Sequence, residues 1–350
     1  MNASAFFIRL LSLLSLILVS LAAMNFYIDP LLQYRDHRDA LLYLNGSQRL
    51  LHPGALKYRP YETLLLGSSM VQYMRPSMVE SVYGGKAFNA SLAGSSAYEQ
   101  AVTFDTANQH HKAQRILWSI DLFAFSGATQ RGANNLPDYL YDDRHYDDIR
   151  YLLNPDTIKR SIKTLQGPRR IAPLDPNFDW DWLSARERRY GLAVVRQAVQ
   201  HKRFLYNFDR RQYTAEQLQA NFTRHFLSRI QRNPELRFEI FFPPYSLLTW
   251  AHLRDIGWLD NALQFKQFMI AQLLAQPNVV LHDFQTQQAI TADLQNYLDE
   301  THFSPVISLQ LLQAMKAGSA RLTPATVPTQ LAELKRQALN ANVQQLLRSE

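Results

Sequence analysis

The sequence predicts an α/β protein, a three-layer sandwich built on a parallel five-stranded sheet, with a helical insertion and an N-terminal transmembrane helix. Short, continuous apolar runs alternate with segments of helical periodicity. Runs of this kind are typical of strands buried on both faces of a parallel sheet, and the alternation places helices on both of those faces. A long uncharged run near the N-terminus predicts the transmembrane helix.

Length and composition limit the classes of protein to consider. The chain has 350 residues, of which 47% are hydrophobic and 19% are charged, as in globular domains rather than disordered or polytopic membrane chains. It has no cysteine, which excludes disulfides, thiolate metal sites and a cysteine nucleophile. The net charge of +7 favours acidic partners. No nucleic-acid-binding motif is present, so we expect no nucleic-acid partner, and we interpret the basic clusters as solvated helix faces.

The N-terminal apolar run has two interpretations. Residues 10–28 are nineteen uncharged residues that follow Arg9, and at ~1.5 Å per residue they roughly cross a ~30 Å hydrocarbon core. As an anchor, the run would hold the protein in the inner membrane in a single pass. As a signal peptide, it would be cleaved near Ala22 or Ala23. The run continues past that point, which favours the anchor. In both cases we expect the remaining chain to lie in the periplasm or outside the cell.

Changes in composition and periodicity divide the chain. Residues 1–30 are the anchor or signal segment, and residues 31–60 are a polar connector with a short helix. Residues 61–322 carry the strand–helix alternation of the α/β domain. Within them, residues 126–230 are rich in Tyr, Arg and Asp and predict a helical insertion. Residues 323–350 predict a peripheral helical tail.

Five apolar runs predict the strands. They lie in residues 62–69, 86–96, 115–125, 236–246 and 278–284. Helical periodicity between and after them predicts helices over residues 96–111, 154–165, 215–230, 258–275 and 305–318.

Residues that follow the predicted strands are candidates for a functional site, because open parallel sheets bind ligands at the carboxyl ends of their strands. Ser69 ends the first run, Asp121 lies in the third, and Tyr245 is the second-last residue of the fourth. Asp299 and His302 stand before the last helix. A serine, a base and an orienting carboxylate are what serine hydrolysis requires. Singly, these residues are as well interpreted as helix caps and an ordinary histidine; together they predict a triad.

The order of these residues resembles that of the SGNH (GDSL-like) hydrolase superfamily, and most closely its membrane-anchored bacterial envelope branch of DltD-like and alginate O-acetylation-like proteins. LLLGSSM resembles the first block, with Ser69 at the nucleophile position and Ser68 in place of the aspartate. LDETHFS resembles the last Asp-x-x-His block, matched by Asp299 and His302.

Two further blocks concern the oxyanion hole. FNASLAGSS resembles the second block, and Gly94 matches the glycine whose backbone N–H binds the oxyanion. SIDLFAF resembles the third block, but Asp121 stands where the family has an asparagine donor. An ionised carboxylate cannot donate a hydrogen bond. Either burial keeps Asp121 protonated, or it binds a backbone group while the N–H groups of Ser69 and Gly94 form the hole alone, or hydrolysis has been lost.

The resemblance implies a flavodoxin-like fold and a Ser69–His302–Asp299 triad that works through an acyl-serine, without metal or cofactor. Ser68, Gly94, Asp121 and Tyr245 would then form the oxyanion or substrate-binding part of the site. The expected substrate is an acylated glycan or an acyl donor of the cell envelope, and a membrane acyltransferase is an expected partner. The alternative is a non-catalytic accessory or glycan-binding protein on the same fold. A soluble lipase is less favoured.

Overall fold

The structure is a computed structural model, described for residues 3–36, 48–110, 113–166, 189–200 and 209–348. Parts of the predicted connector and of the predicted insertion lie outside these residues, as do the basic cluster at residues 201–203 and most of the one at 186–189.

Five parallel strands form one sheet, which confirms the predicted α/β class. The strands are β1 (Thr63–Leu66), β2 (Ala87–Asn89), β3 (Arg115–Ser119), β4 (Arg237–Phe242) and β5 (Val279–Asp283). Their order is β2-β1-β3-β4-β5, and all neighbours are parallel. This is a doubly wound order in which the direction of winding changes between β1 and β3, so a crevice opens at their carboxyl ends.

Helices account for most of the remaining described residues. They are α1 (Ala3–Ile28), α2 (Gln48–Tyr58), α3 (Pro76–Tyr83), α4 (Ala97–His110), α5 (Asp138–Tyr141), α6 (Ile149–Leu152), α7 (Pro155–Leu165), α8 (Leu192–Gln200), α9 (Ala215–Asn221), α10 (Ser228–Arg232), α11 (Leu247–Asp255), α12 (Leu259–Leu274), α13 (Gln288–Thr291), α14 (Pro305–Ala317), α15 (Val327–Asn340) and α16 (Val343–Leu346). The helix predicted over 215–230 is α9 and α10 joined by a π-helical turn, Phe222–Leu227.

The strands are buried on both faces, so helices must cover both. Helices α3 and α14 pack on each other, whereas α4, α9, α12 and the π-helical turn form a second group. Right-handed crossovers place these two groups on opposite faces, because the connection from β1 to β2 runs against the direction of the others. The described part of residues 126–230 contains no β-strand.

Trp118 of β3 links the sheet to the second group of helices. Its ring stacks on Phe104 at 5.5 Å between centroids and lies 4.3 Å from that of Phe226. The indole is fully buried, and its Nε1 donates to Gln100 Oε1 at 2.8 Å. A buried indole N–H without a partner would be costly, so this bond fixes α4 against the strand.

Helix α1 is the one helix in the described part of the chain that is long and apolar enough to cross a membrane, with a mean hydropathy of 2.3. A signal sequence at this position would have the same composition. Its last turn joins the domain: buried Asn25 donates from Nδ2 to the Leu152 carbonyl at 2.6 Å. Just after the helix, Asp29 accepts a hydrogen bond from the Tyr151 hydroxyl at 2.9 Å.

Gly67 directly follows β1, and its crowded surroundings predict how a substitution there would change the stability of the fold. Its φ is +150°, and an added Cβ would lie 2.9 Å from Val71 Cγ2 and 3.0 Å from Ser119 Cβ. We expect Gly67→Ala to lower the free energy of unfolding by about 2–4 kcal/mol through strain and overpacking. Gly318→Ala is the matched control, because φ there is +72° but nothing lies within 4 Å of the added Cβ. It should cost about 1 kcal/mol. If urea unfolding shows the same loss of unfolding free energy for Gly67→Ala and Gly318→Ala, the proposed crowding at Gly67 is contradicted.

Candidate active site

The turn after β1 presents Ser69 to the crevice. The Ser68 side chain accepts a hydrogen bond from the Met70 N–H at 3.3 Å and so caps a short 3₁₀ helix, Ser69–Val71. Ser69 is the first residue of that helix, and its side chain lines the cleft at the carboxyl edge of the sheet. A Ser at N-cap satisfies an N–H that the helix cannot, so Ser68 holds the backbone that carries Ser69.

The loop before α14 supplies a histidine and a carboxylate to the same place. His302 Nε2 lies 2.8 Å from Ser69 Oγ, and His302 Nδ1 lies 2.7 Å from Asp299 Oδ2. The other carboxylate oxygen accepts from the N–H groups of His302 at 2.8 Å and Thr301 at 2.9 Å. Three residues predicted as a triad therefore form one continuous hydrogen-bonded chain, and the backbone orients its carboxylate.

The pKa of Asp299 reflects this environment. Burial by itself would raise the pKa, but attraction to His302 and the hydrogen bonds from His302 and Thr301 lower it to about 2. The Asp299 carboxylate is thus ionised at neutral pH and can hold the imidazole in one orientation. The side chains of His302 and Asp299 are 19% and 25% exposed, so the chain of groups lies at an accessible surface.

Ser69 and His302 lie on the wall of a cleft of about 280 Å³. The cleft is lined by Ser69, Met70, Gly94, Ser95, Asp121, Phe123, Ala124, Ser126, Arg131, Gln212, Tyr213, Tyr245, Thr301 and His302. Five of the seven residues predicted for the site line it, namely Ser69, Gly94, Asp121, Tyr245 and His302. Asp299 lies behind His302, and Ser68 lies beneath the cleft, 1% exposed.

Two backbone N–H groups are available to an oxyanion. Among the hydrogen bonds of the described residues, none uses the N–H of Ser69 or that of Gly94. Gly94 has a φ of +59°, and a Cβ built on it would meet nothing within 4 Å. An open position beside the cleft with a left-handed backbone is readily occupied by glycine. Both residues line the cleft, so their N–H groups are the candidate donors to an oxygen atom bound near Ser69.

Asp121 is an acceptor in this site. Its Oδ2 accepts from the Ser68 hydroxyl at 2.8 Å, and its Oδ1 accepts from the Tyr245 hydroxyl at 2.6 Å and the Phe123 N–H at 3.1 Å. The Tyr245 oxygen in turn accepts from the Leu122 N–H at 3.1 Å. Burial, and then the charge of Asp121, raise the pKa of Tyr245 well above its usual range, so Tyr245 stays a donor.

The sequence did not indicate the residues that close the far side of the cleft. Gln212 and Tyr213 belong to the segment predicted as an insertion, more than eighty positions from Asp121, and they reach the cleft only through tertiary packing. Arg131 donates to the carbonyls of Phe123 at 3.0 Å and Ser126 at 2.9 Å, so it braces the loop after β3. No pattern of spacing marks such contacts. Within the described ranges, no cluster of His, Asp and Glu could hold a metal ion.

The low pKa of Asp299 predicts how stability depends on pH. The pKa is about 2 in the folded chain against 3.8 for the free side chain, so the carboxylate stabilises the fold above about pH 4. That contribution, about 2 kcal/mol, is lost as the pH falls from about 4 to about 2. We expect the difference in unfolding free energy between the unmodified chain and Asp299→Asn to shrink by this amount over that window. A difference independent of pH would show that Asp299 is not held by His302.

Comparison with known proteins gives no family for the chain. No family model matches it, and a search of curated proteins returns no match. The residues of the cleft and their geometry are therefore the basis for a function.

Proposed function

We propose that this protein is a serine acyl esterase or O-acyltransferase of the SGNH type that acts on a cell-envelope polysaccharide or glycan. The observation that carries the proposal is the chain of two short hydrogen-bonding distances, 2.8 Å from Ser69 Oγ to His302 Nε2 and 2.7 Å from His302 Nδ1 to Asp299 Oδ2. Nucleophile, base and orienting carboxylate in mutual reach are the signature of nucleophilic catalysis by serine. The sheet order is also that of flavodoxin-like folds.

The first half-reaction transfers an acyl group to the enzyme. Ser69 Oγ attacks the ester carbonyl while His302 Nε2 accepts the hydroxyl proton, and ionised Asp299 stabilises the resulting imidazolium. The oxyanion of the tetrahedral intermediate accepts from the N–H groups of Ser69 and Gly94. Collapse of the intermediate breaks the bond to the leaving alcohol, which takes the proton from His302. Ser69 then carries the acyl group as an ester.

The second half-reaction sets the outcome. His302 removes a proton from water or from a sugar hydroxyl, and that oxygen attacks the acyl-Ser69 carbonyl. The tetrahedral intermediate then collapses with release of Ser69 Oγ, which takes the proton back from His302. Water gives hydrolysis, and a sugar hydroxyl gives O-acyl transfer. A cleft of about 280 Å³ is at the lower limit for ligand sites, which favours a short acyl group such as acetyl over a fatty acyl chain. No step requires a metal or cofactor.

The envelope assignment rests on α1 and on charge. We propose that α1 anchors the protein in the inner membrane in a single pass and that the domain works in the periplasm or outside the cell. An apolar helix of 26 residues with a mean hydropathy of 2.3 supports the anchor. The net charge of +7 suits an anionic envelope polymer.

One observation favours a second candidate, a non-catalytic accessory protein that holds a glycan or supports a membrane acyltransferase. Asp121 occupies the position where the SGNH resemblance expects an asparagine donor, and its oxygens accept three hydrogen bonds. An oxyanion hole that lacks one donor is slower by about 10²–10³. Such a loss suits a slow transferase or an accessory role better than a fast esterase.

Ester hydrolysis by the full chain in detergent tests the triad. With p-nitrophenyl acetate, we expect Ser69→Ala and His302→Ala each to lower kcat by about 10³–10⁶, and the double variant to lose no more than the single ones, because triad members act as a unit. A fluorophosphonate should label Ser69 alone. The matched control is Ser81→Ala, an exposed serine that bonds only to the Met78 carbonyl among the described residues. Equal rates in the unmodified chain and all four variants would exclude catalysis and favour the accessory role.

Asp121→Asn tests the role of the carboxylate. The amide would turn its NH2 group towards Ser68, whose hydroxyl must then accept instead of donate. The charge-assisted hydrogen bond that holds the turn carrying Ser69 would become a weaker neutral one. We expect the esterase rate to fall about tenfold, equivalent to ~1.4 kcal/mol. Tyr245→Phe is the companion variant: it leaves the N–H of Leu122 without its acceptor and should lower stability by about 1–3 kcal/mol. A faster Asp121→Asn enzyme would show that the carboxylate only obstructs the oxyanion hole.

A further inference from the structure

We infer that α7, together with the segment before α6, lies on the outer surface of the bilayer that α1 spans and inserts apolar side chains into it. The inference concerns the lipid contact of the domain and is independent of the chemistry at Ser69. It depends on the proposal that α1 is a membrane anchor, and the experiment below tests that point separately.

Helix α7 exposes the apolar stripe that helices normally bury. Ile158, Ile162 and Leu165 recur at positions i, i+4 and i+7, which places them on one face. The buried residues of this helix are instead Thr157 and Ser161. Ile162 is 43% exposed and Leu165 is 66% exposed, whereas Ile158 is half-buried. An amphipathic helix whose apolar stripe faces outward is typical of helices that lie in a membrane interface.

Exposed apolar side chains are concentrated in this region. Outside α1, the described residues expose seven large apolar side chains, namely Tyr58, Tyr146, Ile149, Ile162, Leu165, Val306 and Leu339. Four of these seven lie between residues 146 and 165, on or beside α6 and α7. Both helices pack on α1. Phe26 and Tyr27 of α1 are also exposed there, as in the aromatic belts of membrane proteins.

The length of α1 places this region at the level of the lipid headgroups. Nineteen residues separate Arg9 from Asp29, and at ~1.5 Å each they cover about 28 Å of a ~30 Å core. The last of these residues already contact the domain: Leu21, Ala22, Met24, Asn25 and Ile28 are buried or half-buried. No exposed stem therefore separates bilayer from domain, and the elements packed on the end of α1 must meet the interface.

Hydrogen bonds fix the end of α1 relative to the domain. Asn25 donates to the carbonyl of Leu152, the last residue of α6, and the Tyr151 hydroxyl lies 2.9 Å from Asp29 Oδ1. Asp29 also accepts from the N–H groups of Gln33 at 2.7 Å and Tyr34 at 2.9 Å, which closes the turn after α1. A helix held in this way sets the orientation of the domain, so the same face always meets the lipid.

Electrostatic attraction does not drive the inferred contact between this segment and the bilayer. Residues 142–166 contain five Asp against five Arg and Lys, so the segment is neutral and apolar insertion supplies the attraction. Exposed Lys159 adjoins the apolar stripe, and a lysine in this place can lay its alkyl chain along the lipid and keep its ammonium in the headgroups. We therefore expect the contact in bilayers of zwitterionic phosphatidylcholine.

Nitroxide labels on single introduced cysteines can measure the depth of this face. The chain has no cysteine of its own, so each label reports one position. The full chain would be placed in phosphatidylcholine nanodiscs as Ile162→Cys, Leu165→Cys, Leu14→Cys or Leu339→Cys, and accessibility to oxygen and to a nickel chelate would be compared. Leu339 is the matched control: it is exposed, 53%, but lies on α15.

We expect labels at 162 and 165 to lie about 5–10 Å below the headgroup boundary, the label at 14 to lie deep in the core, and the label at 339 to be in water. A lipid-embedded label at 14 with water-exposed labels at 162 and 165 would overturn the inference and leave a partner protein as the occupant of the face. A water-exposed label at 14 would overturn both the anchor and the inference. Neither result bears on the Ser69 chemistry, which the ester assay measures separately.

Discussion

The candidate site depends on the parallel pairing of β1 with β3 at the centre of the sheet. Ser69 and His302 are 233 positions apart, yet their side chains are 2.8 Å apart, because parallel strands deliver every following loop to one edge. Leu66 and Trp118 pair at that edge, so the backbone segments after β1 and β3 leave the sheet side by side. An added Cβ at Gly67 would lie 3.0 Å from Ser119 Cβ. The backbone segments after β1 and β3 leave no room for a side chain between them, so the turn that carries Ser69 begins with a glycine.

The same crowding explains what Asp121 does. Three donors from separate segments, the Ser68 and Tyr245 hydroxyls and the Phe123 N–H, converge on its two oxygens. A carboxylate offers enough lone pairs for all three, whereas an amide offers one acceptor oxygen. The carboxylate thus ties the turn after β1 to the loop after β3 and to the segment after β4. One explanation open from the sequence was that Asp121 binds a backbone group. In the structure it accepts from the Phe123 N–H and, in addition, from two hydroxyl groups.

The sequence predicted the five parallel strands because strands buried on both faces are continuous apolar runs, and no other arrangement explains Leu64–Leu66 or Phe238–Phe242 as well. It placed their ends less well: the third run continues to Phe125, but the strand stops at Ser119, where Asp121 caps a 3₁₀ turn. Ser69 and His302 could be predicted to converge, because both follow strands of the same parallel sheet and such loops meet at one edge. Gln212 and Tyr213 could not, because the ring of Tyr213 packs on the rings of Phe123 and Trp258, which are far away in the sequence, and no local pattern encodes such contacts.

Helix α7 was predicted from the sequence, but the environment of its apolar side chains was not. Periodicity predicted the helix over 154–165, and periodicity alone assigns its apolar stripe to a protein core. In the structure that stripe points away from the core, beside a helix with the composition of a membrane span. An exposed apolar face is costly in water and favourable in lipid, so the two helices explain each other. In the proposed arrangement the bilayer is the apolar surface that α7 meets, and the hydrogen bonds of Asn25 and Asp29 fix the orientation of the domain relative to α1.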